Sequence, residues 1–375
     1  MPRKKKSKKI KNTIISLVSL VVVCAIAVGV YYVYETYIKK PEPEEPPVEL
    51  PTTLGEANVA STLSWNEEFN ISSTSVFYQY DENSINSYYK NIDFEAETED
   101  LFSSLQTLLE TNQLKVNYTG TNSTLSMSKT WANYCLTDRD YTVDNLTKEE
   151  VETGKWKMDG ASLDILYKKD NLIFDEDKNG TEMQIDREHI LPKSYGFNAD
   201  GDGYQDYFAG CDLHNLRVSD HGGNSTAHNN RLYDDLNPSD PNVLSLDDPD
   251  GKSTSYYDKD KGLFMPPDED KGEIARAIFY MATRYHNYEE KDALGNASPA
   301  IVLKSDVTYM GAKTISPEQT KDSPAEFGIL STLLERNQLD PVSENEMTRN
   351  NLVYNLQGNR NPFVDFPNLA NILFA

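Results

Sequence analysis

The chain has 375 residues, with 36 Lys or Arg against 60 Asp or Glu and a formal net charge of −24. That length can bury one large core or two modest ones. The acidic balance repels polyanions on average, which excludes nucleic-acid binding through the overall field; local cations or a bound metal would have to hold such a substrate.

The charge is uneven. Residues 1–40 hold nine Lys or Arg and a single acid, Glu35, which leaves −32 on the remainder. A basic tail, residues 1–12, precedes an apolar stretch, residues 13–34, with the length of one transmembrane helix, about 20 residues. Basic residues in front of a span keep that end cytoplasmic and place the rest of the chain outside. The sequence thus predicts a single-pass signal anchor in the cell membrane with an extracellular body. A cleavage site at Ala25-Ile26-Ala27, which would release a secreted protein, and lipidation of Cys24 fit less well, because the apolar run continues past both.

Residues 35–84 read as a spacer and polar stalk. Within them PEPEEPPVELP, residues 41–51, has five prolines and four glutamates, an extended and self-repelling composition. The body is assigned to residues 85–375. Cys135 and Cys211 are left there as an even pair in an oxidising compartment, either bridged or as two buried thiols.

Patterning tightens along the body. Leu101, Phe102, Leu105, Leu108 and Leu109 share one helical face. Asn179-Gly180, between short alternating runs, predicts a hairpin whose second arm carries Glu188-His189 and ends at Pro192. The same acidic stretch, residues 175–186, has EF-hand-like offsets, and residues 198–206 are a second acidic loop; calcium is the minor reading at both. Residues 212–216 alternate as a short strand, and Asp220 can cap a helix carrying Asn224. Residues 273–286 and 325–336 predict helices, and Ser343 with Glu346 forms a capping box for another that stops near Gly358. The expected class is α+β: a helix-rich body with little sheet.

Four of the five histidines, His189, His214, His221 and His228, fall within forty residues of one another. Glu188-His189 alone reads as an acid–base pair, a metal ligand beside a base, or a solvated strand end. A strand bearing His189, a second strand, and a helix bearing an oxygen ligand form one way to build a one-metal nuclease site. No HExxH or Cys/His spacing supports a zinc hydrolase.

In order along the chain, the blocks Arg187-Glu188-His189-Ile190 with Pro192 and Ser194, Asp212 to Arg217, Asn224, Lys271 to Ala277, Asp340 to Ser343, Arg349-Asn350 and Gln357 to Asp365 resemble the bacterial endonuclease I family. These are non-specific deoxyribonucleases of the ββα-metal, or His-Me finger, class. The resemblance covers roughly residues 85–370. It implies that Glu188 and Asn224 ligate one divalent cation, Mg²⁺ with Mn²⁺ or Ca²⁺ as alternatives, and that His189 is the general base. Asp212, His214 and Asn215 would support the site. Arg217, Arg276, Arg349 and Arg360 would contact phosphate or serve as ion-pair partners of the scaffold. The implied partners are DNA, with RNA as a second substrate, and the lipid bilayer through residues 13–34; no protein partner is implied. The implied products carry 5′-phosphates.

For two neighbours on a strand to serve one site, irregular backbone is expected around Glu188-His189. His221 and His228 are expected at polar surface or helix positions, and His286 in a structural role. Two departures from the family stand out: Ala227 where an arginine usually follows the asparagine by three, and Arg336 in place of a usual tryptophan. These keep a second reading open, a surface nucleic-acid-binding or adhesive protein on a catalytically weakened nuclease scaffold.

Overall fold

The structure is a computed structural model. It describes residues 50–57, 82–116, 121–122, 125–140, 157–168, 171–178, 180–196, 207–247, 254–288, 290, 298, 300–305 and 325–375. All belong to one unit, Leu50–Ala375. The basic tail, the apolar stretch 13–34 and most of the stalk lie outside the described residues. Among the described residues no helix is long and apolar enough to cross a membrane.

The core is organised around one helix. In chain order the helices are α1 (Glu82–Tyr88), α2 (Thr98–Thr111), α3 (Lys129–Thr137), the single turns α4 (Gly180–Met183) and α5 (Phe208–Cys211), α6 (Lys271–Arg284), α7 (Leu330–Leu339), α8 (Glu344–Gln357), α9 (Pro362–Asp365) and α10 (Leu369–Phe374). Almost every residue of α6 is buried, the pattern of a helix surrounded on all sides. α2 packs on it through Leu101, Leu105 and Leu109, and α7 and α9 cover other sides. Gly272 admits the end of α7: its N–H donates to Asp340 Oδ2 (2.7 Å), and a Cβ there would collide with the Asp340 carbonyl. α8 begins and ends as its sequence signals require. Ser343 Oγ accepts from Glu346 N (3.1 Å), and Gly358 stops the helix at φ +86°.

The strands are short. β1 (Thr121–Asn122) pairs with β2 (Leu125–Ser128), and β3 (Ser162–Asp164) with β4 (Asn171–Ile173). β5 (Ile185–His189) pairs with β6 (Leu216–Asp220). β7 (Leu232–Tyr233), β10 (Leu263–Met265), β9 (Thr254–Asp258) and β8 (Leu244–Asp247) form a mixed sheet in that order, and β11 (Ile301–Leu303) runs parallel to β12 (Ala325–Phe327). The architecture is α+β.

Three local expectations are corrected. The arms flanking Asn179-Gly180 are not partners: β4 pairs with β3, Ser162 opposite Ile173, and β5 pairs with β6. Phe174 and Met183 are both buried in a smaller apolar cluster with Leu163 and Ile185, so long-range burial overrides the local turn signal. The strand expected at 212–216 begins only at Leu216, because residues 212–215 form a turn closed on Asp212. The helix expected at 325–336 is split: Ala325–Phe327 is a strand, and the helix runs from Leu330. Phe327 is fully buried against Tyr195 and Tyr233, which holds that segment extended.

Candidate active site on the β5–β6 ribbon

β5 and β6 form a regular antiparallel ribbon from Ile185 opposite Asp220 to His189 opposite Leu216. Alternation sends Ile185, Arg187 and His189 to one face and Asp186 and Glu188 to the other. The first face, with Leu216 and Val218, closes the smaller cluster, which also holds Tyr134, Cys135 and Cys211. Both cysteines are buried there as thiols.

Pairing is regular through His189 and stops there. Ile190 N still reaches the Asn215 carbonyl (3.0 Å). The Asn215 side chain then takes over the ladder, accepting from Leu191 N (2.7 Å) and donating to Leu191 O (3.1 Å). Pro192 has no N–H to offer, and Lys193–Tyr195 turn as a 3₁₀ helix. The irregular backbone thus begins one residue beyond the pair, and Glu188 and His189 are held from opposite faces by different elements.

His189 is buried, with Nε2 3.0 Å from the carbonyl of Gly210 on α5. A nitrogen facing a carbonyl carries the proton, so Nδ1 is the basic atom of the neutral ring. Burial disfavours the imidazolium and, with the positive charges of Lys193 and Arg187, pushes the ring down to about 3.

Glu188 is 2% exposed. Its Oε1 accepts from Tyr167 Oη (2.8 Å) and from His228 Nδ1 (2.6 Å). Tyr167 Oη lies 2.9 Å from Tyr233 Oη, which reaches the Ile190 carbonyl at 3.0 Å. His228 stacks on Tyr233 at 4.6 Å. His228 thus holds a helix position, one of the two expected, but not a surface one. It is 2% exposed, and its Nε2 is buried without a hydrogen-bond partner among the described residues. Burial and the neighbouring Glu188 carboxylate push the Tyr167 phenol well above its usual range, which keeps it a donor. Nothing in the local sequence marks His228 or Tyr167; only their meeting at Glu188 does.

Asn224 lies in the first turn of a π helix, Gly223–His228. Asp220 caps that helix as expected, accepting from Gly223 N (2.7 Å), while Lys168 holds its other oxygen (2.9 Å). Gly223 seats the helix on Tyr167, whose Cβ and ring a side chain at 223 would strike. Asn224 is half-buried, and its side chain makes no hydrogen bond among the described residues. Ala227 is fully buried; Arg231 folds back instead, Nη1 donating to the carbonyls of Thr226, Ala227 and His228. There it caps the negative end of the helix.

The supporting residues form one network. Asp212 is fully buried and accepts from Gln113 Nε2 (2.8 Å), Tyr280 Oη (2.8 Å), Tyr285 Oη (2.7 Å), Gln357 Nε2 (2.7 Å) and the N–H of His214 (2.9 Å). His214 Nε2 meets the Asn359 carbonyl (3.1 Å), and burial pushes the ring down to about 4. The four motif arginines are buried against carboxylates. Arg217 binds Asp138 (2.5 Å) and Glu273 (2.9 Å), Arg276 grips Glu346 (2.6 and 2.7 Å), and Arg360 grips Asp365 (2.7 and 2.6 Å). Arg349 reaches Asp138 (3.3 Å) and the carbonyls of Leu213 and Leu216. His221 is exposed and meets Asp186 (2.9 Å); His286 packs edge-on against Phe102.

Glu188 and Asn224 offer oxygen donors, the type that holds Mg²⁺. Among the described residues no group of three or more His, Cys, Asp or Glu could hold a metal. A two-ligand site leaves the other positions to water and phosphate, as Mg²⁺ prefers. In the first acidic loop Asp175 is taken by Lys178 (2.7 Å), while Asn179 and residues 198–206 lie outside the described residues.

Two proteins named extracellular ribonuclease resemble this chain. The one from Bacillus amyloliquefaciens is 33% identical over 221 residues, 58% of this chain and 63% of the relative. The one from Bacillus subtilis (strain 168) is 29% identical over 300 residues, 72% of this chain and 90% of the relative. The chain thus spans less than two thirds of the first relative's length. The family model for Endonuclease I matches residues 99–368, a stretch that contains the ribbon, the π helix and the network beneath them. The chain therefore belongs to the endonuclease I family of nucleases, which are phosphodiester hydrolases.

Proposed function

We propose that the protein is an exported, metal-dependent endonuclease that hydrolyses RNA and DNA with little sequence selectivity, tethered to the cell membrane by residues 13–34. The observation that carries the reading is the pair at the end of β5. His189 is neutral with its Nε2 engaged by Gly210, and Glu188 is fixed one residue earlier by Tyr167 and His228. His189 Nδ1 takes a proton from the attacking water, and the Gly210 carbonyl stabilises the imidazolium that forms. Glu188 and Asn224 hold the cation, Mg²⁺ in preference to Mn²⁺ or Ca²⁺. When bound it polarises the phosphate and stabilises the departing 3′-oxygen. Tyr167 and His228 aim the Glu188 carboxylate, and the phosphate stays on the 5′ end of the product. RNA is named beside DNA because both relatives bear the name ribonuclease. The membrane tether rests on the sequence of residues 1–34 alone.

A second reading, binding without cleavage on a weakened scaffold, is favoured by one observation. Ala227 is sealed in the core and Arg231 is spent on helix carbonyls, so neither replaces the family's arginine. One experiment separates the readings: incubation of the full-length protein with plasmid DNA and with RNA, in Mg²⁺ and in EDTA, beside His189→Ala. The nuclease reading expects cleavage in Mg²⁺, loss in EDTA, and loss of at least about 100-fold in the variant at unchanged melting temperature. Capture of nucleic acid without any cleavage in Mg²⁺ would establish the second reading.

A further inference from the structure

The Gly210 carbonyl that holds His189 Nε2 (3.0 Å) sits on α5, a helix of only four residues, Phe208–Cys211. One turn of helix has no stability of its own, because nucleation is unfavourable until further turns are added. The direction of that carbonyl is therefore set by whatever grips the two ends of α5. The exit is gripped by the Asp212 network. The entry is gripped by a residue outside the family blocks. Glu290, in the chain beyond α6, accepts from the N–H of Phe208 through Oε2 (2.7 Å). Tyr207, just before the helix, offers no side-chain cap, so a carboxylate 82 residues away supplies the acceptor.

Glu290 is itself tied down from several sides. Lys115, just past α2, pairs with Oε1 (2.9 Å), and its ammonium lies 4.9 Å from the centre of the Phe208 ring. Tyr288 Oη reaches Oε2 at 3.5 Å. On the main chain, Ser298 N donates to the Glu290 carbonyl (2.7 Å), and Ser298 Oγ accepts from Glu290 N (3.3 Å). The Glu290 side chain is 15% exposed. A carboxylate so sheltered and bonded through both oxygens has one direction to point, and its bond to the Phe208 N–H is of the stronger, charge-assisted kind. Freeing this end of α5 would let Gly210 turn, and the imidazole it holds would turn with it.

We propose that Glu290 is a positioning residue for the general base: by capping α5 it aims the Gly210 carbonyl, fixes the His189 ring as Nε2–H, and so keeps Nδ1 the basic atom. The assignment rests on the reading of His189 as the base given above. Glu290 acts through α5 and touches no reacting atom.

The test uses the full-length protein labelled with ¹⁵N-histidine, whose five histidines give few enough ring signals to assign. Cleavage of RNA and of plasmid DNA is timed at saturating Mg²⁺ for wild type, Glu290→Ala, Glu290→Gln, His189→Ala and Lys178→Ala, the last removing an exposed ion pair with Asp175. The ring nitrogens of His189, identified by their loss in His189→Ala, are read from two-bond nitrogen–proton spectra in EDTA. Glu290→Ala is expected to lower kcat about 10- to 100-fold, with KM changed less than about threefold, and to replace the single Nε2–H tautomer by a mixture. Glu290→Gln keeps an oxygen for Phe208 N and is expected to stay within about fivefold of wild type with the tautomer intact. Lys178→Ala should match wild type in both measurements. A Glu290→Ala protein with wild-type kcat, or a slower one whose tautomer is unchanged, would overturn the assignment and leave the nuclease reading intact. So would a glutamine variant as impaired as the alanine one. A His189→Ala protein that cuts as fast as wild type would overturn the base reading itself. Should Glu290→Ala melt early, Glu290→Asp, whose carboxylate stops short of Phe208 N, carries the same comparison.

Discussion

At the scale of single residues, the site depends on which side chain hands a proton to which. Glu188 has one oxygen shared by a phenol and an imidazole, both buried with it. Removing one donor from a buried carboxylate costs about 1–3 kcal/mol. His228→Phe keeps a ring stacked on Tyr233 and deletes only the donor. It is expected to lower the melting temperature and to raise the Mg²⁺ concentration for half-maximal cleavage by about 10- to 100-fold. A metal titration unchanged from wild type would show that His228 does not aim Glu188. Glu188 and His189 were legible because they stand side by side in a recognisable block. His228 was not, since its burial comes from Tyr233 and from a strand forty residues away. A histidine between Ala227 and Asn229 carries no local sign of which way it faces.

At the scale of elements, the joint between α6 and α7 shows how a charge is placed in the fold. Asp340 caps Gly272, and burial raises its carboxyl from the ordinary 3.8 to about 6 despite that hydrogen bond. Below about pH 4 the group is neutral in folded and unfolded chains alike. Between there and pH 6 the unfolded chain ionises first, so stability falls as pH rises and the loss is complete above the folded value. Asp340→Asn keeps an acceptor for Gly272 and removes the titration. The difference between the two melting temperatures is therefore expected to move in favour of the variant from pH 4 to pH 7. A constant difference would refute the raised ionisation. α6 and α8 were readable beforehand, one from its apolar period and the other from Ser343, Glu346 and Gly358. Elements fixed by distant partners were not: the Asn179-Gly180 turn signal is local, whereas β3 and β6 claim the two arms through burial of Phe174 and Ile185. The strand Ala325–Phe327 is too short to announce itself by alternation.

At the scale of the whole molecule, the four arginines of the family blocks are neutralised inside the fold, and the Asp212 network ties distant parts of the chain to the ribbon. One carboxylate gathers Gln113 just past the end of α2, Tyr280 and Tyr285 from α6 and its end, and Gln357 from the last turn of α8. It lies two residues past Gly210, whose carbonyl orients His189. A chain ending at Leu356 would lack Gln357 and the Asn359 contact to His214. It is expected to lose all cleavage even though Glu188, His189 and Asn224 remain, and a truncated chain that still cuts would contradict this coupling.

The same network has a consequence in time. A ribosome delivers Asp212 about 145 residues before Gln357, so the last of the carboxylate's side-chain donors joins it long after the first. The support beneath the β5–β6 ribbon is therefore complete only once α8 has been made, so the folding of this region is tied to residues synthesised late.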